Sequence, residues 1–159
     1  MSNNNLTNLT VVIDTNVLLG ALPSHSPYRL LFNQLLEGAY ELVISNAILT
    51  EYEEQITARY DSQVVQDLLA ILLLLPNVRQ VTPYFQWHLI VSDPDDNKFV
   101  DAAISGNVDY MVTNDKHFQI LKTAEFPKVN VCKAEAFKTM LLNASRSKLG
   151  SNLDYGTQT

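Results

Sequence analysis

The chain has 159 residues, of which 47% are apolar and 18% are charged, and its formal net charge is -6. These values are typical of a single globular domain with its own core. The acidity argues against a protein that binds nucleic acid through its overall charge. The basic residues are nevertheless concentrated in the second half, which indicates a local basic rim: Lys98, Lys116, Lys122, Lys128, Lys133, Lys138, Arg146 and Lys148.

Neither end of the chain suggests export or membrane insertion. The N-terminus lacks a basic start followed by an apolar stretch, so we expect no signal peptide and a cytoplasmic protein without a membrane partner. The most apolar run, LLAILLLLP, is too short to span a bilayer and ends at Pro76. We interpret this run as a core helix, with a homodimer face as the alternative. We expect a flexible N-terminus at 1–9, a folded domain at 10–143 and a flexible tail at 144–159.

The first half predicts two strands and three helices. The apolar, β-branched run at 10–14 indicates a buried central strand, and ELVIS at 41–45 indicates a second. Leucines at helical spacing predict a helix over 30–38 that ends at Gly38. Capping residues open two further helices, over 47–60 and 61–75.

The second half continues the alternation of strands and helices. Its least regular stretch, VRQVTPYFQWHLIV, predicts a third strand or extended segment near 89–91. The segments that follow are a helix at 98–105, a strand at 109–113, a short helix at 115–121, a strand at 128–132 and a last helix at 134–142. This alternation predicts a parallel sheet with helices on both faces and the carboxyl ends of all strands at one edge.

Acidic residues occur at four of the points where a strand leads into a helix. Because the carboxyl ends of parallel strands form the ligand-binding edge of such a sheet, we expect these acids to converge there. Crowded carboxylates repel one another and attract cations, and Mg²⁺ and Mn²⁺ prefer oxygen ligands. The pattern therefore predicts a divalent-metal site suited to phosphodiester chemistry. Its acids are Asp14, Glu51, the group Asp93, Asp95 and Asp96, and Asp115.

Each acid also has a structural alternative. Helix capping would account for Asp115 and for Asp96, or for Asp93 or Asp95 in its place, and solvent exposure would account for Glu51. Asp14 is harder to explain in this way, because an acid directly after a buried apolar run is costly unless it is paired or bound.

Several other side chains bear on the chemistry. Asn16 and Thr113 could orient ligands or waters, or form turn hydrogen bonds. His25 and His88 lack the spacing of zinc ligands, so we exclude a zinc site. A phosphatase with an aspartyl nucleophile would need a second Asp two residues after Asp14, where this chain has Asn16.

Three segments in order resemble the PIN domain family: VVIDTNVLLGAL, VISNAILTEYEE and SDPDDNKFVDAAISGNVDYMVTNDKHFQIL. The resemblance covers roughly residues 10 to 140 and is closest to bacterial VapC-type toxins of toxin–antitoxin modules. It implies a three-layer α/β/α sandwich around a mostly parallel sheet of four to five strands. It also implies Mg²⁺- or Mn²⁺-dependent endoribonuclease activity, an RNA substrate, frequent homodimers and a cognate antitoxin.

Carried over by position, the resemblance assigns four catalytic and metal-binding acids: Asp14, Glu51, Asp96 and Asp115. Its supporting residues are Asn16, Thr113, Asp93 and Asp101. Many relatives have T-G-D where this chain has Thr113-Asn114-Asp115, a mild change because Asn tolerates the left-handed backbone region.

The leading hypothesis is therefore a metal-dependent endoribonuclease, and two alternatives stay open. One is a catalytically silent PIN module that binds RNA or acts as a scaffold. The other is a metal-dependent phosphatase or phosphoacceptor domain of similar α/β layout.

Overall fold

The computed structural model describes residues 8–153, so most of the N-terminus at 1–9 and the last six residues of the expected tail lie outside it. It contains a five-stranded sheet in the order β3-β2-β1-β4-β5, and every neighbouring pair is parallel. The predicted α/β fold is therefore confirmed. The strands are β1 (Thr10–Ile13), β2 (Glu41–Ile44), β3 (Val78–Gln80), β4 (Tyr110–Val112) and β5 (Val131–Cys132).

Within residues 8–153, six α-helices flank the sheet. The helix α5 packs on β1, β2 and β4, whereas α1 packs against α2 and α3. Among the described residues, no helix is both long and apolar enough to cross a membrane. The helices are α1 (Thr15–Ala21), α2 (Arg29–Leu36), α3 (Asn46–Thr57), α4 (Ser62–Leu74), α5 (Asn97–Ser105) and α6 (Ala134–Leu153).

The central strands explain why Asp14 lies in the middle of the sheet edge. Val11, Val12 and Ile13 of β1 are almost completely buried, as expected for a strand covered on both faces. β1 pairs with β2 on one side and β4 on the other. The residue that follows β1 is therefore surrounded by the ends of two neighbouring strands.

Of the two alternatives predicted near 89–91, a strand or an extended segment, the strand is wrong, because these residues form neither strand nor helix. The third strand is Val78–Gln80, an edge strand paired with β2, and only its first residue is apolar. Ile90 is buried, but the side chain of Asn97 satisfies its backbone: Ile90 N donates to Asn97 Oδ1 at 2.9 Å, and Asn97 Nδ2 donates to Ile90 O at 2.9 Å. The buried Ile90 thus has its backbone satisfied without joining the sheet, while its neighbour Val91 is 81% exposed.

One helix end matches its prediction, and two other helices depart from theirs. Gly38, with φ 77°, follows α2 as predicted, because glycine adopts this left-handed conformation without strain. The short helix predicted at 115–121 is a 3-10 helix over Lys116–Thr123. The last helix extends past its predicted end to Leu153. Apolar periodicity marks only the packed part of a helix, and the mostly exposed turns after Leu142 carry no such signal.

A close approach at Gly106 provides a test of this packing. A Cβ at this position would lie 2.8 Å from Val43 Cγ1 of β2 and 3.0 Å from the carbonyl oxygen of Ala102. We expect Gly106→Ala to lower the free energy of unfolding by about 1–3 kcal/mol, since overpacking forces the helix from the sheet.

Gly20, in the interior of α1, is the matched control, because nothing lies within 4 Å of its added Cβ. Gly20→Ala should raise the free energy of unfolding by about 0.5–1 kcal/mol through helix propensity. Urea denaturation measures both, and equal effects of the two substitutions would contradict the proposed α5–β2 contact.

Candidate metal centre

Asp14 lies at the junction of β1 and α1 and is only 7% exposed. Its backbone N donates to Val112 O at 2.9 Å, which holds it against the end of β4. Its Oδ2 accepts a hydrogen bond from Thr113 Oγ1 at 2.8 Å. Burial raises the pKa of Asp14, the nearby charges of Asp115 and Glu51 raise it further, and the Thr113 bond opposes them. The carboxylate is thus fixed in position while its charge is only partly compensated.

Glu51 reaches the same edge from α3, and its side chain is only 20% exposed. Thr15 Oγ1 donates to Glu51 Oε2, and Lys98 Nζ donates to Glu51 Oε1 at 3.1 Å. The neighbouring Tyr52 is fully buried and donates its hydroxyl to the carbonyl of Ile13, the last residue of β1. These contacts place Glu51 beside the end of β1, so the solvent-exposed alternative is wrong.

Asp96 ends a short 3-10 helix, Pro94–Asp96, and immediately precedes α5. It forms no side-chain capping bond, so capping does not account for it. Its Oδ2 is buried and has no hydrogen-bond partner. Burial first, and then the charges of Asp93, Asp115 and Asp14, raise the pKa of Asp96 to about 6, with His117 opposing them. An oxygen in this state lacks the partner that buried polar atoms ordinarily have.

Asp115 combines a capping role with a place in the cluster. Its Oδ1 accepts from His117 N at 2.9 Å, as the capping alternative predicted. Its own N donates to Thr113 Oγ1 at 3.0 Å. Because Thr113 also donates to Asp14, one buried hydroxyl links the two acids. Asp115 is close enough to Asp14 and Asp96 for its charge to raise the pKa of each.

Asp93 and His117 complete a group of possible ligands with Asp96, whose ligand atoms all lie within 4.8 Å of one another. His117 Nδ1 is 3.8 Å from Asp96 Oδ2 and 3.5 Å from Asp115 Oδ1. Asp93 also caps the 3-10 helix, accepting from Asp95 N at 3.2 Å. The sequence predicts no role for His117, because its approach to the acids depends on the local turn in which its N bonds to Asp115.

The remaining supporting residues lie around this cluster. Asn16 is exposed and lines a small cavity of about 250 Å³ together with Asp14 and Asp115. Asp101 is buried and accepts a hydrogen bond from Trp87 N at 3.1 Å, facing a separate, adjoining groove. Lys98, which sequence reasoning placed only among the basic residues, joins Glu51 to Asp95, at 3.1 and 3.0 Å.

The donor set fits a divalent cation. Carboxylate oxygens dominate it, which suits Mg²⁺ or Mn²⁺ better than metals that prefer sulfur. The buried, unpartnered Oδ2 of Asp96 is the observation that favours a bound ion over a purely structural cluster.

A family model described as a PIN domain matches residues 10–117, the segment that carries all four acids. The chain belongs to the PIN domain family. Residues 10–117 span β1 to the start of the last 3-10 helix, so the match includes every strand except the short β5. No curated protein sequence matches the chain.

Solved structures share the fold at low sequence identity. One is VapBC2 from Rickettsia felis bound to a DNA fragment from its promoter, with a TM-score of 0.55, 16% identity, and coverage of 79% of this chain and 98% of that chain. Another is FitAB bound to an IR36 DNA fragment, with a TM-score of 0.51, 16% identity, and coverage of 78% and 94%. The T. brucei RRP44 PIN domain has a TM-score of 0.51 at 12% identity and covers 94% of this chain and 90% of its own.

The raised pKa of Asp96 predicts how stability depends on pH in the metal-free protein. Because the folded state holds this proton more tightly than the unfolded state, stability falls as pH rises from 3.8 to about 6. Asp96→Asn removes that penalty, so it should stabilise the protein at pH 7 by about 1–3 kcal/mol, and the gain should vanish below about pH 4.

The measurement is urea denaturation in EDTA between pH 4 and 8. Asp67→Asn, an exposed acid on α4, is the control and should show no such pH-dependent gain. A gain that is the same at pH 4 and pH 7 would show that packing, not charge, is responsible.

Proposed function

We propose that this protein is a divalent-metal-dependent endoribonuclease that hydrolyses RNA phosphodiester bonds. The observation that carries the proposal is the buried, unpartnered Oδ2 of Asp96 among further acids at one sheet edge. Membership of the PIN domain family supports the choice of RNA, since the acids alone would suit other phosphoesters equally well.

We assign the metal ligands to Asp14, Asp96 and Asp115, with Glu51 as the fourth acid. A Mg²⁺ or Mn²⁺ ion held there would neutralise phosphate charge and lower the pKa of a coordinated water. The protein's own contribution is positioning. Thr113 fixes Asp14 and Asp115 relative to each other, and Thr15 fixes Glu51.

His117 and Lys98 add positive or donor groups around these acids. His117 lies against Asp96 and Asp115 and is exposed, so it can contact a phosphate oxygen without leaving the cluster. Lys98 balances Glu51, which limits the repulsion that an incoming phosphate would meet.

The direct test is cleavage of short labelled RNAs with Mg²⁺ or Mn²⁺. Asp14→Asn should reduce the cleavage rate on the order of 100-fold or more, because it removes the most deeply placed ligand. Asp67→Asn, on the exposed side of α4, should retain the wild-type rate, and EDTA should abolish cleavage.

Other outcomes would distinguish the alternatives. Equal cleavage by wild type and Asp14→Asn would contradict the assignment and indicate a contaminating nuclease. Metal binding without turnover would indicate a catalytically silent PIN module that binds RNA or acts as a scaffold. A stable phosphate adduct on Asp14 or Asp115, detected by mass spectrometry, would indicate a phosphoacceptor.

We further propose that the enzyme is a toxin with a cognate antitoxin and a homodimeric state. The support is the fold shared with VapBC2 and FitAB, together with the motif resemblance to VapC-type toxins. Induced expression in a bacterial host should arrest growth, whereas Asp14→Asn should not, because arrest depends on RNA cleavage. Normal growth at matched protein levels, with cleavage intact in vitro, would remove the toxin proposal but keep the nuclease.

A further inference from the structure

A groove of about 470 Å³ opens next to the acids. The start of α3, the start of α5 and the segment 81–88 form its walls, and its polar lining includes Asn46, Gln86, His88, Lys98 and Asp101. This volume falls within the range of small-ligand sites, about 300–1,000 Å³. None of the roles assigned above uses the groove.

The groove adjoins the metal centre. Lys98 lines it, and the same Nζ donates to Glu51 Oε1 at 3.1 Å. Asp95, which ion-pairs with Lys98 at 3.0 Å, lines it as well and directly precedes Asp96. A nucleotide with its phosphate at the acids could therefore extend its base into the groove.

Asp101 determines which hydrogen-bonding groups a ligand of the groove must carry. It is 8% exposed, and its Oδ1 is fixed by the hydrogen bond from Trp87 N. An ionised carboxylate only accepts hydrogen bonds. A ligand that satisfies it must present hydrogen-bond donors, such as the N–H groups of a base, and the amide of Gln86 and the ammonium of Lys98 offer donors to a neighbouring carbonyl.

The segment that carries Gln86 and His88 is held in an unusual conformation. His88 has φ 51°, in the left-handed region that costs a non-glycine residue roughly 1–2 kcal/mol. Gln86 and His88 line the groove, whereas the alternating Phe85 and Trp87 contact each other with ring centroids 4.5 Å apart and planes tilted by 59°. Phe126 meets Trp87 edge-on, with ring centroids 5.9 Å apart. The aromatic contacts thus support the wall from behind.

We propose that this groove binds the base of the RNA nucleotide next to the cleaved phosphate and selects guanine, an inference that rests on the proposed function. The Watson–Crick edge of guanine presents two adjacent N–H donors beside a carbonyl. The donors pair with Asp101, and the carbonyl accepts from Gln86 or Lys98. Single-stranded RNA is read in this way, through the edges of unstacked bases.

Trp87 is the only tryptophan of the chain, and its backbone N donates to Asp101 in the groove wall. Its fluorescence should therefore report on binding in the groove. We expect GMP, titrated in EDTA, to change this fluorescence and to bind about 10-fold or more tightly than AMP, CMP or UMP. Asp101→Asn keeps an Oδ1 acceptor for Trp87 N but presents a donor to the base, so the preference for GMP should disappear.

Two further variants guard against a folding artefact. Gln86→Ala, at an exposed residue of the groove wall, removes the amide that donates to the carbonyl and should weaken GMP binding. Gln66→Ala, at an exposed glutamine outside the groove lining, should not. Equal binding of all four nucleotides, or no binding at all, would overturn the proposal, and the latter would favour a protein segment as occupant.

Cleavage of RNAs that differ at one base separates this inference from the proposed nuclease activity. Wild type should cleave preferentially next to guanosine, and Asp101→Asn should lose the excess rate at guanosine over the other bases. Guanine-selective binding without RNA cleavage would refute the proposed nuclease activity but not guanine binding in the groove. RNA cleavage without base preference, unaffected by Asp101→Asn, would refute guanine selection but not the nuclease activity.

Discussion

The burial of one charged group, Asp14, governs the arrangement of the sheet edge. A carboxylate after a fully apolar central strand is tolerated only with partners, because desolvation disfavours its charged form. The structure supplies a hydroxyl from Thr113 to Asp14 and leaves the Oδ2 of the nearby Asp96 without a hydrogen-bond partner. The order β2-β1-β4 makes this possible, since both neighbouring strands end beside Asp14 and lead into segments that carry the other acids. The core thus holds together a cluster of acids whose desolvation would be unfavourable without these partners.

Most of the fold follows from local pattern, and the exceptions have physical causes. The runs of β1, β2 and β4 are buried on both faces and therefore read as uninterrupted apolar segments. Val78–Gln80 needs no such run, because an edge strand is covered less. The apolar segment that includes Ile90 was mistaken for a strand because a side chain, Asn97, took the place of a neighbouring backbone. A side chain that replaces a neighbouring strand as hydrogen-bond partner leaves no periodic pattern in the sequence.

The candidate site was predictable as a set of acids but not as a network. Strand ends identified Asp14 and Asp115 from their position alone, whereas Glu51 and Asp96 depended on motif resemblance. Neither the Lys98 bridge nor the approach of His117 was predictable, because each joins elements far apart in the chain or depends on a local turn. Local sequence reports which side chains reach the edge, and packing decides which of them meet.

The salt bridge from Lys98 to Glu51 makes the charge distribution of the metal centre asymmetric. Both Lys98 and Glu51 are about four-fifths buried, at 18% and 20% side-chain exposure, so salt screens their attraction poorly. Glu51 thus has a counterion supplied by the protein itself, whereas Asp96 Oδ2 forms no hydrogen bond and lies 3.8 Å from His117 Nδ1, which is charged only when protonated. We therefore expect a dissolved cation to bind first on the Asp96 side. Because Lys98 neutralises Glu51 without an added ion, the Glu51 side stays open to a negatively charged ligand.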